Sequence, residues 1–210
     1  MLFNNTPEKF WNLLAGKYAA SPINDRVAYE KKLEKIKTLL SPETTVLDIG
    51  CGTGTQCCDM AESAKHITGL DFSSILITIA NQRLNERRLN NVSFINASIE
   101  NTSFDAGSFD VVSAFYVLHF LRDIDSTFSH IHKLLRPNGL FIHETPCLGD
   151  KNKRMGKSLQ VAGSLGIIPR INLFTAEQIE WSVEQAGFKI KEKIFFGQPD
   201  GEFTLLTNKI

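Results

Sequence analysis

Apolar and polar positions alternate between two rhythms along this chain. Five short, β-branched apolar runs occupy residues 44–49 (TTVLDI), 66–70 (HITGL), 92–95, 109–114 (FDVVSA) and 140–143. Between them the apolar positions recur at helical spacing. Ile75, Leu76, Ile79 and Leu84 share one face, with Asn81, Gln82, Arg83 and residues 86–88 opposite. Phe128, Ile131, Leu134 and Leu135 repeat the pattern before Arg136, Pro137, Asn138 and Gly139 stop the helix. Strand and helix in alternation predict parallel strands joined by right-handed crossovers. Such strands are covered on both faces, which is why they read as continuous apolar runs. The expected fold is α/β, a doubly wound, mostly parallel seven-stranded sheet with helices on both faces and an antiparallel final strand.

The flanks follow other patterns. Residues 7–20 carry Phe10, Trp11, Leu14 and Tyr18 at helical spacing. Residues 26–40 carry Val27, Leu33, Ile36, Leu39 and Leu40 against a Lys/Glu face expected to be solvated. Residues 147–172 hold Gly149, Gly156, Gly163, Gly166 and Pro169 and read as a long, partly helical insertion; loops this long inside a compact domain are usually functional or disordered. Thr175 is placed to cap a helix that Gly187 ends. Two last strands, 188–196 and 202–207, flank a Pro199-Asp200-Gly201 turn. A chain of 210 residues buries roughly 70% of its extended surface without disulfides or a structural metal. We therefore expect one domain over 1–210: a helical cap (1–40), a core (41–146), an insertion or lid (147–172), and a C-terminal helix with strands (173–210).

Charge changes the picture in one place. The 23 bases balance the 23 acids, which argues against a general nucleic-acid binder. Residues 150–170, however, hold five bases (Lys151, Lys153, Arg154, Lys157, Arg170) and one acid, so the rest of the chain is mildly acidic. No run of about 20 apolar residues is available to span a membrane, and residues 1–10 lack the pattern of a secretory leader. Cys51, Cys57, Cys58 and Cys147 show no Cys-x-x-Cys spacing and read as reduced packing residues. A cytoplasmic protein is expected, with no nucleic-acid or membrane partner, as a monomer or homodimer. His130 and His132 are two apart on a helix and point different ways, so no metal site is expected.

The candidate chemistry begins at Val46-Leu47-Asp48-Ile49-Gly50-Cys51-Gly52-Thr53-Gly54. A buried strand runs into three alternating glycines that let the backbone approach a ligand at a helix N-terminus. Thr55 stands where a dinucleotide fingerprint requires its third glycine. Asp48, two positions before the first glycine, would repel a pyrophosphate and attract an ammonium group. Asp71 lies about 20 residues further on, at the end of the next run, where an acid accepts ribose hydroxyls; the rival role is capping the following helix, which Ser73 and Ser74 could perform. A ribose and an ammonium group together fit S-adenosylmethionine (SAM).

At this point the chain resembles the class I, Rossmann-like SAM-dependent methyltransferases, particularly their small-molecule branch. VLDIGCGTG is similar to the family's glycine motif, ITGLDFS to its ribose motif, FDVVSAFYVLHFLRD to its fourth-strand motif and LLRPNGLFI to its entry into the fifth strand. The resemblance covers residues 44–144 and extends weakly to the C-terminal elements. It implies that Gly50, Cys51, Gly52 and Gly54 line the cofactor through their backbone, Asp48 holds the ammonium group directly or through water, Asp71 takes the ribose and Phe72 packs on the adenine. Ala114 and Phe115 would lie at the methyl end, with His119 one turn later, and Tyr18 in a segment that folds over the cofactor. The rival role for Trp11 and Tyr18 is plain helix packing. The positions expected beside the adenine are Ala97, Ser98 and Ile99, where relatives commonly carry an acid. Ser98 as an uncharged acceptor would contribute about 1 kcal/mol rather than the ~1.5–3 of a charged group, giving adequate but not tight binding.

The implied reaction moves a methyl group from SAM to a small-molecule acceptor, releasing S-adenosylhomocysteine. Candidate general bases are Tyr116, His119, His143 and Glu144, at the carboxyl ends of the fourth and fifth runs; His143 and Tyr116 could equally be core residues. Acceptor-side candidates are Trp11, Tyr116, Lys151 and Arg154. The alternatives are a nicotinamide-dependent oxidoreductase, against which Asp48 and Thr55 count, and a non-catalytic SAM-binding regulator.

Overall fold

The computed structural model describes residues 6–150, 153–196 and 203–210, with backbone only for 153–155. Its described strands are β1 (Thr45–Ile49), β2 (His66–Asp71), β3 (Val92–Asn96), β4 (Phe109–Phe115), β5 (Leu135–Glu144), β6 (Phe188–Ile194) and β7 (Thr204–Lys209). They form one sheet in the order β3-β2-β1-β4-β5-β7-β6. β3, β2, β1, β4 and β5 pair in parallel, and β7 lies antiparallel between β5 and β6. The helices are α1 (Pro7–Ala20), α2 (Arg26–Lys37), α3 (Thr55–Met60), α4 (Ser74–Arg87), α5 (Ile124–Leu134), α6 (Lys153–Ser164) and α7 (Ala176–Gln185).

Successive residues of each central strand point to opposite faces, and both faces are covered. Leu47, Ile49, Val112, Ala114, Phe141 and Leu205 pack with Phe128 and Ile131 of α5 and Ile179 and Val183 of α7. Val46, Ile67, Val111, Ile142 and Leu206 pack on the other face with Ile36 of α2 and Cys57 and Met60 of α3. This double covering accounts for the continuous apolar runs.

Several boundaries differ from expectation. α2 ends at Lys37 rather than at residue 40. β5 begins at Leu135, directly after α5, instead of at 140. Asn138 adopts a left-handed φ of 61°, and the register with β4 shifts between Phe109 and Val111, so the Arg-Pro-Asn-Gly segment is absorbed as an irregularity in the strand. β6 ends at Ile194 and β7 starts at Thr204; the Pro199-Asp200-Gly201 turn lies outside the described residues. The insertion contributes α6. The charge-rich side of α2 is not uniformly solvated, because Lys32 is buried.

The cap of α7 forms as the sequence indicates. Thr175 accepts from the Gln178 backbone N–H at 3.1 Å, and the Gln178 side chain accepts from the Thr175 N–H at 3.0 Å. Thr175→Ala should cost about 1 kcal/mol. Urea unfolding checks this, and a loss below a few tenths would show that the cap does not hold the helix.

Candidate functional site

The glycines after β1 take positive φ values of 71° (Gly50), 56° (Gly52) and 69° (Gly54), so the chain turns sharply before α3. Their surroundings differ. A Cβ on Gly50 would lie 2.6 Å from Val117 Cγ2, and one on Gly54 would enter the Phe94 ring and come within 2.9 Å of Ala80 Cβ. Gly50 and Gly54 are therefore constrained by packing as well as by conformation. Above Gly52 the nearest neighbour is the Tyr18 ring, at 3.6 Å from such a Cβ. The loop is fastened from α4 by Arg83, whose guanidinium donates to the Thr53 carbonyl and, at 2.7 Å, to Thr55 Oγ1. Sequence periodicity had set Arg83 on a solvent face.

Asp71 ends β2 beside this loop. Its Oδ2 accepts from the Gly52 N–H at 3.0 Å and its Oδ1 from the Ser73 N–H at 2.8 Å. Ser73, not Asp71, caps α4 by accepting from the Leu76 N–H at 3.2 Å. The carboxyl of Asp71 is pushed up by burial, against the opposing pull of the two backbone donors. Phe72 is half-buried next to it. Ala97, Ser98 and Ile99 follow β3 alongside, tied by the Ala97 N–H to the Asp71 carbonyl at 3.1 Å. Ile99 points into the core, and Ser98 Oγ accepts from the Glu100 N–H at 3.4 Å.

Asp48 lies beneath the loop, 4% exposed. Ser113 Oγ donates to its Oδ1 at 2.6 Å and Cys57 Sγ to its Oδ2 at 3.1 Å. Burial raises its pKa to about 6, although these two donors and the nearby Lys32 pull it down. Its negative charge is thus held under the glycines with both oxygens engaged. Cys51 is half-buried in the loop, and all four cysteines carry free thiols.

Helix α1 covers the loop from above. Thr6 caps it and Pro7 starts it. Trp11 meets Phe10, Tyr18 and Phe120 edge-on at centroid distances of 5.8, 5.8 and 5.7 Å. Tyr18 stands over Gly52, and burial and Asp71 both raise its pKa. The anchor is Asn12, whose Oδ1 accepts from Ser73 Oγ at 2.6 Å and from the Ile75 N–H at 3.3 Å. Asn12 was not foreseen; a poor helix former amid aromatic positions was its only signal in the sequence.

At the carboxyl ends of β4 and β5, Ala114 is buried and Phe115 half-buried. Tyr116 takes a φ of 56°, is 44% exposed, and donates from its hydroxyl to Glu144 Oε1 at 2.7 Å. Glu144 Oε2 pairs with Lys32 Nζ at 2.7 Å, both residues being buried. Sequence reasoning had missed Lys32. His119, on a short turn after β4, lies against Phe120 with a centroid separation of 4.0 Å, and burial lowers its pKa to about 4. Lys151 and the Arg154 side chain lie outside the described residues. Among the described residues no group of three or more His, Cys, Asp or Glu could hold a metal ion, and no helix is long and apolar enough to cross a membrane.

His143 is not brought to this site. It is 1% exposed, stacks on Phe141 at 4.8 Å and faces Phe128 at 5.8 Å, on the side of the sheet opposite Glu144. Burial depresses its pKa to about 3. The sign of the linkage follows. Above pH ~6.5 the ring is neutral in both folded and unfolded chains. As pH falls below that value, only the unfolded chain takes the proton, and stability drops by about 1.4 kcal/mol per pH unit until the folded ring titrates. His143→Leu should therefore move the acid-unfolding midpoint to lower pH relative to the midpoint expected from its neutral-pH stability. An unmoved midpoint would show that His143 does not limit acid stability.

Comparison with known proteins bears on the family and the fold. A model of the methyltransferase-domain family matches residues 22–193. The chain is 33% identical over 114 residues to phosphoethanolamine N-methyltransferase 2 of Caenorhabditis elegans, a match covering 53% of this chain and 26% of that protein. The chain spans about a quarter of the length of this and another curated relative. Among solved structures, an S-adenosylmethionine-dependent methyltransferase from Mesorhizobium loti superposes with a TM-score of 0.72 at 17% identity, covering 88% of this chain and 99% of that one. The cyclase SpnF superposes with a TM-score of 0.74 at 18% identity, covering 96% and 95%. At these identities both show the fold alone.

Proposed function

The chain belongs to the methyltransferase-domain family, and from that premise we propose that it transfers the methyl group of SAM to a small-molecule acceptor. The observation that carries this reading is the Asp71 carboxylate, hydrogen-bonded at 3.0 Å to the backbone of Gly52, the loop glycine over which the Tyr18 ring stands at ordinary contact distance. SAM, when bound, supplies a methyl carbon on a cationic sulfur that leaves without further activation.

The chain's own residues supply position, charge and shelter. Asp71 would hold the ribose and Phe72 and residues 97–99 the adenine. Gly50, Cys51, Gly52 and Gly54 would line the cofactor through their backbone. Asp48 would act mainly by its field from below, since its oxygens already accept two hydrogen bonds. That field favours an ammonium group over the pyrophosphate of a nicotinamide cofactor. Helix α1, clamped by Asn12 and carrying Trp11 and Tyr18, would partly shield a cofactor on the loop from water, which would strengthen electrostatic contacts below it. Ala114, Phe115 and His119 would border the methyl end. His119, neutral over the physiological range because of its burial, would serve there as a hydrogen-bonding wall rather than as a cation.

The C. elegans relative is named for an aminoalcohol phosphate. The local excess of basic residues over 150–170 is consistent with an acceptor that likewise carries an anionic group. The test is a metabolite library weighted toward such amines and alcohols, read as release of S-adenosylhomocysteine. Release with one acceptor supports the proposal. SAM binding without release from any member would favour the non-catalytic regulator.

A further inference from the structure

Helix α6 faces the opposite way from a helix that only packs on its own domain. Its inward positions are glycines. Gly156 and Gly163 are buried; a Cβ on Gly156 would meet Leu173 Cδ1 at 3.0 Å, and one on Gly163 would meet the Arg170 Cα and the Pro169 carbonyl oxygen, both at 3.3 Å. Glycine is a poor helix former, and here it lets the helix lie close against residues 169–173. The large aliphatic side chains lie outside instead: Val161 is 57% exposed, Leu165 53% and Ile167 59%. The end of the helix gathers them into one patch. Gly166 takes a left-handed φ of 70°, its N–H donates to the Gly163 carbonyl at 3.1 Å, and the Ile167 N–H donates to the Ala162 carbonyl at 2.9 Å. This paired closure folds Ile167 back onto the last turn. Lys157, Val161, Ala162, Leu165 and Ile167 then line one shallow surface groove.

The charge of the segment is of one sign. Residues 151–176 hold five bases (Lys151, Lys153, Arg154, Lys157 and Arg170) and no acid, in a chain whose formal charge is zero. Lys157 borders the groove, and Arg170 is exposed shortly after it. Exposed aliphatics accompanied by bases are the composition of a helix that lies in the surface of a bilayer, with its apolar side chains at the acyl boundary and its bases among the headgroups. An anionic leaflet complements that charge. A second copy of this chain does not, because a two-fold contact would set the same bases against one another. A soluble anionic acceptor would draw on the bases and leave the aliphatics in water.

We propose that α6 and the turn after it, residues 153–167, dock the protein on the surface of an anionic phospholipid bilayer, with Val161, Leu165 and Ile167 entering the interface and Lys157 among the headgroups. This departs from the expectation of no membrane partner, which followed from the lack of a spanning segment; surface docking needs none. The insertion leaves β5 at its carboxyl end, and Asn172 returns it to the turn after β4, donating from its N–H to the His119 carbonyl at 2.8 Å and from its side chain to the Leu121 carbonyl at 2.6 Å. Docking therefore holds the lipid surface near the end of the sheet where the candidate site lies.

Co-sedimentation of the full chain with vesicles tests this. The chain should bind vesicles of equal parts phosphatidylserine and phosphatidylcholine, bind pure phosphatidylcholine at least about 10-fold more weakly, and leave the mixed vesicles as salt rises. Lys157→Gln should weaken binding to the mixed vesicles about 5-fold. The triple change Val161→Ser, Leu165→Ser, Ile167→Ser should weaken it more than about 10-fold, with a lipid-free melting temperature close to that of the wild type. Val27→Ser, which removes a 62% exposed aliphatic from α2, should bind as the unaltered chain does. Sedimentation with neither vesicle, equal binding to both, or undiminished binding by the triple variant overturns the inference. So does gel filtration showing a dimer that the triple variant dissociates, because a second copy would then cover this face. SAM takes no part in the measurement, so its outcome is separate from that of the methyl-transfer reading.

Discussion

Lys32→Met should lower the unfolding free energy by about 3–5 kcal/mol, the usual cost of stranding one partner of a buried ion pair. The change retains the apolar length of the side chain, so the loss isolates the ammonium. Glu144 would keep only Tyr116 and a 3.5 Å contact with Thr204 in a site that is 7% exposed. Asp48 would lose a charge that now opposes its desolvation. For a chain of this size the melting temperature should fall by roughly 6–20 °C. The double change Lys32→Met, Glu144→Leu should recover much of the loss, because removing both charges removes the unpaired one. The comparison pair is Arg26–Glu30 on the same helix, whose side chains are 81% and 54% exposed; Arg26→Met should leave the stability nearly unchanged. Urea unfolding of the four proteins decides the matter. A Lys32→Met loss as small as that of Arg26→Met would mean that the pair is solvated and not part of the core.

Asp71→Ala should weaken SAM binding about 10- to 100-fold, corresponding to a charged hydrogen bond of about 1.5–3 kcal/mol. Two contributions combine. The carboxylate itself would be lost to the ribose, and the Gly52 and Ser73 N–H groups would lose the acceptor that now orients them. Asp71→Asn separates these effects, because its amide oxygen can still serve one of the two N–H groups. It should fall between the wild type and Asp71→Ala in affinity, with a melting temperature nearer the wild type. Calorimetry on the three proteins measures this. Unchanged affinity in Asp71→Ala would remove the ribose assignment.

Most of the fold was legible because its signals are local. The helix read over residues 7–20 is α1, Ser73 and Thr175 cap their helices, and the apolar runs coincide with β1 to β4. The glycine loop and Asp71 were legible for the same reason, since spacing along the chain determines their positions. Lys32 was not, because its burial depends on Glu144, 112 residues away, and a Lys on a charge-rich helix has no local mark of such a partner. Arg83 and Asn12 failed likewise: each reaches across to another element, one to fasten the glycine loop and the other to seat α1 on α4. The early start of β5 was obscured by Pro137 and Gly139, which ordinarily end an element but here lie within a strand beside the left-handed Asn138. For His143 the sequence left two roles open, chemistry at a strand end and a place in the core, and the alternation of the strand turns it into the aromatic core.

The central claim is that the loop between β1 and α3, with Asp71 beside it and Asp48 beneath it, is built for SAM and not for a dinucleotide. Calorimetric titration of the full chain with SAM and, separately, with NADH tests this most directly. The account predicts saturable binding of SAM with a stoichiometry near one and no measurable heat of binding for NADH. Binding of NADH without binding of SAM would contradict it.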